Sequence, residues 1–273
     1  MAVELRVMSY NVRYDNPNDG DDVWRERRDR VASSIRFHRP DVVGLQEALH
    51  AQLRDLSGQL PTYEWLPAGR ENVESAGEYA AIGYDRDRFN LESEDTFWLS
   101  ETPDEPGSVG WDADLPRLVH YVELREQRTD VTFYHFNTHF DHAGEESRLN
   151  GAKLLLQRID GLVPDDPVVV TGDFNCRAGS PPYERLTSRT KASPGRTLRD
   201  THRFSKHGHH GPETSMTDFR NLIPDKKIDH IFVTSDVEVV LHGVQSDAYA
   251  NGRYASDHLP VVADISLPEL DGR

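Results

Sequence analysis

The chain has 273 residues, a hydrophobic content of 36% and a formal net charge of −16. This length is sufficient for one large domain with an extensive buried core. No stretch approaches the roughly 18 apolar residues of a membrane span, and the first residues alternate like a strand rather than a secretory signal, so we expect a cytoplasmic protein. The lone Cys176 cannot form an internal disulfide, and packing is its expected role.

The acidic balance argues against avid, nonspecific binding of duplex nucleic acid, because phosphate-binding surfaces are normally basic. Lysines number 5 against 26 arginines, and aspartates crowd loops such as 19–22. One hypothesis is adaptation to high salt, in which repulsion between surface charges is screened. The alternative is an ordinary acidic enzyme that acts on a small phosphorylated substrate. The arginines within 25–30 form either a local basic stripe or the solvated face of a helix.

Hydrophobic alternation predicts strands throughout the chain, separated in two places by helical periodicity. The predicted strands are 4–11, 42–46, 79–84, 95–99, 118–125, 131–139, 167–171, 227–233, 237–243 and 261–266. Apolar residues of helical spacing follow at Trp24, Val31 and Ile35, in a helix ended by Pro40, and at 149–159.

Strands outnumber helices, and several adjacent strands are joined by short turns, which fits a mixed-sheet α/β sandwich better than a doubly wound parallel sheet. No repeat, low-complexity linker or shift of composition divides the chain. We therefore expect a single domain that spans residues 1–273.

Six polar clusters each close or open one of the strand-like runs. They are Ser9-Tyr10-Asn11, Gln46-Glu47, Asn137-Thr138-His139, Gly172-Asp173-Phe174-Asn175, Ile228-Asp229-His230 and Ser256-Asp257-His258. Clusters so far apart in sequence converge only if their strands lie side by side and end at a common edge, which is how α/β active sites are built. Acids, amides and histidines together are what a phosphate-ester hydrolase needs.

A hard divalent cation prefers oxygen ligands, often one or two carboxylates with water and substrate phosphate. Glu47, at the end of a buried strand, is the expected main ligand, Asn11 supplies a neutral oxygen beside it, and Asp257 completes the shell. Taken alone, Glu47 or Asn11 is as readily a helix cap or a turn residue. The ensemble favours a Mg²⁺ or Mn²⁺ site.

Asp173 and Asn175 flank Phe174, so both polar side chains point to one side of an extended backbone. Asp173 is positioned to orient or deprotonate a water, and Asn175 to donate hydrogen bonds to developing charge on phosphate oxygens. The alternative is an Asx-turn that merely closes the strand.

Two histidines complete the predicted site. His258 is expected to be held in one tautomer by Asp229. His139 is expected to contact the phosphate or to protonate a leaving oxygen, with Glu78 as the acid that keeps it charged. Arg117 either grips a substrate phosphate or ties two loops together.

In this order the clusters resemble the endonuclease/exonuclease/phosphatase superfamily, over nearly the whole chain. The resemblance implies a four-layer α/β sandwich of two mixed β-sheets packed face to face with flanking helices, and magnesium- or manganese-dependent attack of water on phosphorus. It implies the same assignment of metal ligands, water-orienting pair and phosphate contacts as the residues themselves. The segment 97–117 is similar to that of prokaryotic members related to the deadenylase-like branch.

The predicted activity is hydrolysis of a phosphodiester in nucleic acid or a nucleotide-like ester. The rivals are a phosphomonoesterase on sugar or inositol phosphates, a lipid-headgroup phosphodiesterase and a catalytically silent binding module. Thr171 stands where the inositol-phosphatase branch has tryptophan, no exposed apolar loop suggests membrane docking, and no protein partner is indicated. Trp98 and Trp111 serve either to stack a base or sugar or, more simply, to pack the core or loops.

Three histidines, His207, His209 and His210, are interpreted as part of a mobile loop near the site, because no cysteine accompanies them. They are not assigned to a metal.

Overall fold

The computed structural model describes residues 2–71, 77–163, 165–188 and 196–268. In these residues two mixed β-sheets stack face to face, and helices cover both outer faces. The predicted four-layer sandwich is confirmed.

The larger sheet has seven strands within the described part of the chain. In order across the sheet they are β10 (His209–His210), β12 (Glu238–Val244), β13 (Val261–Leu267), β1 (Val3–Asn11), β2 (Val42–Gln46), β4 (Ile82–Asp85) and β3 (Tyr63–Leu66). At its centre β1 pairs in parallel with β2 and antiparallel with β13, so the first and last described strands are neighbours.

The smaller sheet has six strands within the same residues. In order they are β5 (Phe89–Trp98), β6 (Leu118–Glu126), β7 (Thr132–His139), β8 (Val168–Asp173), β11 (Asp229–Val233) and β9 (Arg199–Asp200). β7 and β8 are parallel, and β11 runs antiparallel to β8. The carboxyl ends of β7 and β8 therefore share an edge with the start of β11.

Amphipathic helices bury their apolar stripes on the two outer faces. α1 (Trp24–His38) and α2 (His50–Gln59) pack on the larger sheet, and α3 (Glu145–Leu162) and α4 (Pro181–Thr187) on the smaller. A 3₁₀ helix (Pro17–Asp22) precedes α1, and the one-turn α5 (Thr201–Phe204) follows β9. As predicted, α1 ends just before Pro40, because Arg39 adopts a left-handed conformation (φ 49°).

The interior between the sheets is apolar over most of its area and contains residues such as Val7, Val169 and Ile231. Beside this apolar core lies a polar layer, formed by Gln46, His135, Asn137 and Thr171. Asn137 accepts hydrogen bonds from Gln46 Nε2 (2.7 Å) and Thr171 Oγ1 (3.0 Å), and its amide group donates to two backbone carbonyls of the facing sheet. His135 Nε2 lies 2.8 Å from Thr171 Oγ1.

Gly44 shows how closely the sheets approach at the polar layer. A Cβ atom at this position would lie 2.1 Å from Thr171 Oγ1 and 2.4 Å from Asn137 Oδ1. The strand β2 therefore needs glycine here, since any side chain would force the sheets apart.

Some local predictions differ from the structure. The strand predicted at 79–84 is β4 (Ile82–Asp85), because Tyr79 instead makes isolated bridges to Ala48 and Gly69. The strand predicted at 95–99 is the last half of the longer β5, whose exposed polar residues hide its alternation. Residues His209–His210 form an edge strand paired with β12, and not a mobile loop.

Three further expectations can be compared with the structure. Trp98 is buried and donates from Nε1 to the carbonyl of Arg70, which is a packing role, whereas Trp111 is half-buried in a loop. Cys176 is buried in the outer core beneath α4. None of the helices in the described residues is both long and apolar enough to span a membrane.

Candidate active site

The polar strand ends meet at one edge of the two stacked sheets. Asn11 is paired with Gln46 across β1 and β2, and Asp173 is paired with both His139 and Asp229 in the smaller sheet. The segment that precedes β13 brings Asp257 and His258 to the same place. The structure thus brings together the residues that the sequence placed in one site, although they come from six separate segments.

Glu47 stands at the centre of the oxygen-rich half of the site. Its backbone is left-handed (φ 64°), an unfavourable conformation for a residue with a Cβ, and strain of this kind concentrates at functional sites. Its carboxylate accepts from Asn11 Nδ2 at 2.9 Å and from the Tyr14 backbone N–H at 3.2 Å. The strained turn holds the carboxylate at the sheet edge.

Asn11 connects two acids instead of presenting an oxygen between them. Its amide nitrogen donates to Glu47 Oε1 and, at 3.1 Å, to Asp173 Oδ2, while its Oδ1 accepts from the Arg13 backbone N–H. The predicted oxygen-ligand role of Asn11 stays a prediction, because in this arrangement the amide group positions the two carboxylates.

Asp173 is almost fully buried, with 2% of its surface exposed, in the middle of the site. Its Oδ1 accepts from the backbone N–H of Asn175, and its Oδ2 lies 3.4 Å from His139 Nε2 and 3.8 Å from His258 Nε2. Burial, together with the negative charge of Asp229, raises the pKa of Asp173 to about 7. A carboxyl group with a pKa near neutrality is suited to accept a proton from water.

His258 and Asp229 form the predicted pair. Asp229 Oδ2 lies 2.9 Å from His258 Nδ1 and accepts a second hydrogen bond from Ser215 Oγ at 2.5 Å. Burial alone would lower the pKa of His258, but the negative charges of Asp229 and Asp173 outweigh it and raise this pKa well above its usual value. His258 is therefore a cation with its Nε2 directed at the centre of the site.

His139 differs from His258 in charge. Burial and the nearby Arg117 lower the pKa of His139 well below its usual value, so its ring is neutral. Its Nε2 accepts from Asn175 Nδ2 at 3.2 Å, whereas its Nδ1 lies 3.9 Å from Glu78 Oε2, beyond hydrogen-bonding distance. Glu78 is thus the acid near His139 Nδ1, as predicted, but the two side chains are not hydrogen-bonded.

Glu78 instead forms a salt bridge with Arg70, whose Nη1 donates to its Oε2 at 2.8 Å. Burial and the charge of Glu47 nevertheless raise the pKa of Glu78 to about 7. Its predicted role, to keep His139 charged, stays a prediction.

Arg117 is 4% exposed and lies in the wall of the site. Together with Arg70, Glu78 and His139 it lines a small cavity of about 10 Å³, and its guanidinium contacts Asp141 (3.4 Å) and His142 Nδ1 (3.2 Å). Both alternatives from the sequence are compatible with this position, since the same side chain joins a loop and faces His139.

Asp257 lies beside Arg13, with its Oδ2 3.7 Å from Arg13 Nε. Burial raises the pKa of Asp257, and the charge of Glu47 contributes in the same direction. Three carboxylates, those of Glu47, Asp173 and Asp257, thus stand close enough to repel one another.

These carboxylates fit a divalent cation. Ligand atoms of Glu47, His139 and Asp173 all lie within 4.8 Å of one another, and the mutual repulsion of the acids is the charge that a cation would neutralise. Oxygen donors match Mg²⁺ or Mn²⁺ better than softer metals. Glu47 belongs to this group, whereas the predicted ligands Asp257 and Asn11 do not, so their assignment as ligands stays a prediction.

Sequence reasoning missed several residues of the site. Arg13 carried no readable signal, because it lies beyond the end of β1 with a left-handed backbone (φ 56°). Arg70 and Ser215 carried none: each lies in a loop, and only the tertiary fold brings it to Glu78 or Asp229.

Comparisons with known proteins agree with this site. The family model described as the endonuclease/exonuclease/phosphatase family matches residues 8–258. An endonuclease/exonuclease/phosphatase from Bacteroides vulgatus is 36% identical, with coverage of 97% of this chain and 100% of that chain and a TM-score of 0.91. A mannosyl-6-phosphatase from Bacteroides thetaiotaomicron is 33% identical, with coverage of 96% and 99% and a TM-score of 0.88.

An uncharacterised protein of Acanthamoeba polyphaga mimivirus is 28% identical over 251 residues, which are 88% of this chain and 91% of that protein. The family model extends over most of the chain and includes all residues of the candidate site, from Asn11 to His258. The chain therefore belongs to the endonuclease/exonuclease/phosphatase family and is a hydrolase of phosphate ester bonds.

Proposed function

We propose that the protein hydrolyses a small phosphomonoester, of the sugar-phosphate class, by direct attack of a water that Asp173 orients, in a reaction that depends on Mg²⁺ or Mn²⁺. The observation that carries the proposal is the placement of Asp173 Oδ2 between Asn11 Nδ2, His139 Nε2 and His258 Nε2, at 3.1 to 3.8 Å. A base, a cation and donors thus face one point from different directions.

Each residue has a role in this mechanism that follows from its charge. Asp173 accepts the proton of the attacking water, because burial raises its pKa to about 7. The cationic His258 donates to phosphate oxygens as charge accumulates there, and the amide of Asn175 would join it by exchanging its hydrogen bond to His139 for one to phosphate. A divalent ion bound by Glu47 and Asp257 would supply further charge neutralisation of the phosphate.

Two observations support a small monoester. The net charge of −16 disfavours a polyanionic nucleic acid, and the relative from Bacteroides thetaiotaomicron, 33% identical over 96% of this chain, is a mannosyl-6-phosphatase. A monoester dianion also needs nearby cations, and Arg117 and Arg70 lie close enough to His139 for their charges to lower its pKa.

One structural feature favours a phosphodiester as the second candidate. A groove of about 780 Å³ begins at Asn175, and its lining contains three cations, Arg148, Arg177 and Lys226, and two acids, Glu145 and Glu146. This groove offers space, and a small excess of positive charge, for a group beyond the scissile phosphate, such as a nucleotide. Membership of the deadenylase-like branch and a cytoplasmic location stay predictions.

The test compares three substrates at equal concentration: a hexose 6-phosphate, p-nitrophenyl phosphate and bis(p-nitrophenyl) phosphate. Each is assayed with Mg²⁺, with Mn²⁺ and with EDTA, from low to molar salt. Asp173→Asn is the inactive reference, and Asp236→Asn, in an exposed turn, is the matched control.

We expect phosphate release from the monoesters, at least tenfold faster than diester cleavage, that is abolished by EDTA and by Asp173→Asn. Faster cleavage of the diester, also lost in Asp173→Asn, would contradict the phosphomonoesterase and favour the phosphodiesterase. Turnover that survives in Asp173→Asn would contradict the assignment of the water-orienting residue. Activity that rises with molar salt would support adaptation of the acidic surface to high salt.

A further inference from the structure

A second group of metal-ligating side chains lies outside the active site, near β10 at the edge of the larger sheet. It consists of His202 on α5, His209 on β10, Glu213 in the following loop and His242 on β12. Ligand atoms of His202, His209 and Glu213 all lie within 4.8 Å of one another. We refer to these four residues as the histidine cluster.

The three imidazole rings are packed together. The ring centroids of His202 and His209 are 4.5 Å apart, and His242 lies 5.0 Å from each of them. His242 is 98% buried, at 2% exposure, and His202 and His209 are half-buried, so the rings are held in place by the fold.

The hydrogen bonds of His209 show which of its ring nitrogens carries the proton. Its Nε2 lies 3.1 Å from the carbonyl oxygen of Pro212, which can only accept, so this nitrogen carries the proton. The Nδ1 lone pair therefore points into the histidine cluster. A ligating histidine commonly donates its other ring N–H to a backbone carbonyl, which is the arrangement seen here.

The distances within the cluster are those of a contracted metal site. His209 Nδ1 lies 2.9 Å from His242 Nδ1, and His202 Nε2 lies 3.6 Å from Glu213 Oε2. Ligand atoms of a tetrahedral Zn²⁺ ion, each at about 2.0–2.1 Å from the metal, are about 3.3 Å apart. The two observed distances bracket this value, and the side chain of Glu213, 74% exposed, has room to adjust.

His242 adds an unexplained buried atom. Because His209 Nδ1 carries no proton, its 2.9 Å contact with His242 is a hydrogen bond donated by His242 Nδ1–H. The Nε2 of His242 has no hydrogen-bond partner in the described residues, so it can carry the ring proton when an ion replaces the one on Nδ1.

We propose that His202, His209, Glu213 and His242 bind one Zn²⁺ ion, or a similar transition metal, at a site separate from the active site. Three imidazole nitrogens and one carboxylate suit Zn²⁺, whereas the oxygen-rich active site suits Mg²⁺ or Mn²⁺. The chemistry of the donors thus separates the two sites.

The position of the cluster indicates what the ion does. α5 follows β9 at one edge of the smaller sheet, and β10 and β12 form the edge of the larger sheet. Ligands from both edges would be cross-linked by one ion. The site is therefore structural: it joins the two sheets where their apolar interface ends.

The test measures bound zinc and thermal stability in the full-length protein. Metal-free protein carrying Glu47→Gln, to weaken the active site, is equilibrated with Zn²⁺ in the presence of excess Mg²⁺, and bound zinc is counted by mass spectrometry. Co²⁺ is used in parallel, because tetrahedral Co²⁺ has intense visible absorption. His209→Ala and Glu213→Gln are compared with His207→Ala, an exposed histidine two residues from His209.

We expect one Zn²⁺ per chain, a rise in Tm on addition of zinc, and a loss of roughly tenfold or more in affinity in His209→Ala and Glu213→Gln but not in His207→Ala. Glu213→Gln guards against a folding defect, because its side chain is exposed. Equal zinc binding by all three variants, or no zinc bound by the parent protein, would overturn the proposal.

Discussion

The active site and the polar layer lie on the same strands but differ in the charge and the hydrogen bonding of their buried groups. Both are buried between the sheets, and on β7 and β8 their members are two residues apart: Asn137 and His139 on one strand, Thr171 and Asp173 on the next. In the polar layer Asn137 is neutral and its four hydrogen-bonding positions are filled. In the active site Asp173 faces like charges and has a pKa displaced to about 7.

This difference shows which buried polar groups stabilise the fold and which destabilise it. A buried amide that is fully hydrogen-bonded, as Asn137 is, rigidifies the contact between the sheets, whereas buried charges that repel one another lower the free energy of unfolding in the metal-free protein. We therefore expect substitutions in the active site to abolish activity without loss of stability, and substitutions in the polar layer to do the reverse.

The largest expected effect is that of Asp173→Asn. Turnover should fall at least about 1,000-fold, because asparagine cannot accept the proton of water. In the metal-free protein at pH 8 the free energy of unfolding should stay equal or rise, since the substitution removes a buried carboxylate whose pKa is raised. Steady-state kinetics and urea denaturation test both statements, with Asp236→Asn as the control. A variant that loses both stability and activity would contradict the expectation that active-site substitutions leave stability intact.

Asp229→Asn should reduce kcat about 100-fold. Asp229 contributes to the raised pKa of His258, so its neutralisation lowers that pKa, and the alkaline limb of the pH–rate profile should move to lower pH. The profile is measured with p-nitrophenyl phosphate between pH 5 and 10. A reduced rate with an unmoved alkaline limb would mean that Asp229 orients His258 without stabilising its charge.

In the polar layer, Asn137→Ala should lower the free energy of unfolding by about 2–4 kcal/mol, because it leaves two backbone carbonyls and two side-chain donors without their partner. Activity per folded molecule should change by less than about threefold. The control is Asn150→Ala on α3, where the side chain accepts one hydrogen bond, from Lys153. A loss of stability no greater than that of the control would refute the structural role of this layer.

The smallest effect concerns pH. Burial, with a contribution from His120, lowers the pKa of His135 to about 3, so the folded state holds this ring neutral. Stability from this group is complete above pH 6.5 and is lost as the pH falls towards 3, because only the unfolded chain then takes up the proton. At pH 5 the loss is about 2 kcal/mol.

His135→Gln should remove that part of the pH dependence. Denaturation curves at pH 7.5 and pH 5 measure the difference for the parent, for His135→Gln and for the exposed His207→Gln. We expect a smaller difference between the two pH values only in His135→Gln. Equal differences in all three proteins would show that His135 does not titrate as the structure indicates.

The two regions were not equally predictable. The sequence pointed to Asn11, Glu47, Asp173, Asp229 and His258 because each stands at the end or the start of an alternating apolar run. The polar layer was not predicted: the sequence placed Gln46 and Asn137 in strand-end clusters of the site, and only the packing of the two sheets shows that they bond to each other and to Thr171. The histidine cluster was missed for a similar reason: His202 and His242 are 40 positions apart, and the sequence attached His209 to its neighbours His207 and His210 instead.

What the sequence by itself determined is the inventory of the site and the class of fold, because strand periodicity, turns and strand-end polar residues are local properties of the chain. The tertiary structure decided what those groups do: which carboxylates share Asn11, why His258 is charged while His139 is neutral, and that Glu78 pairs with Arg70. The physical reason is that charge, burial and hydrogen bonding at the site depend on distances between residues of six different segments. Those distances exist only after the two sheets have packed.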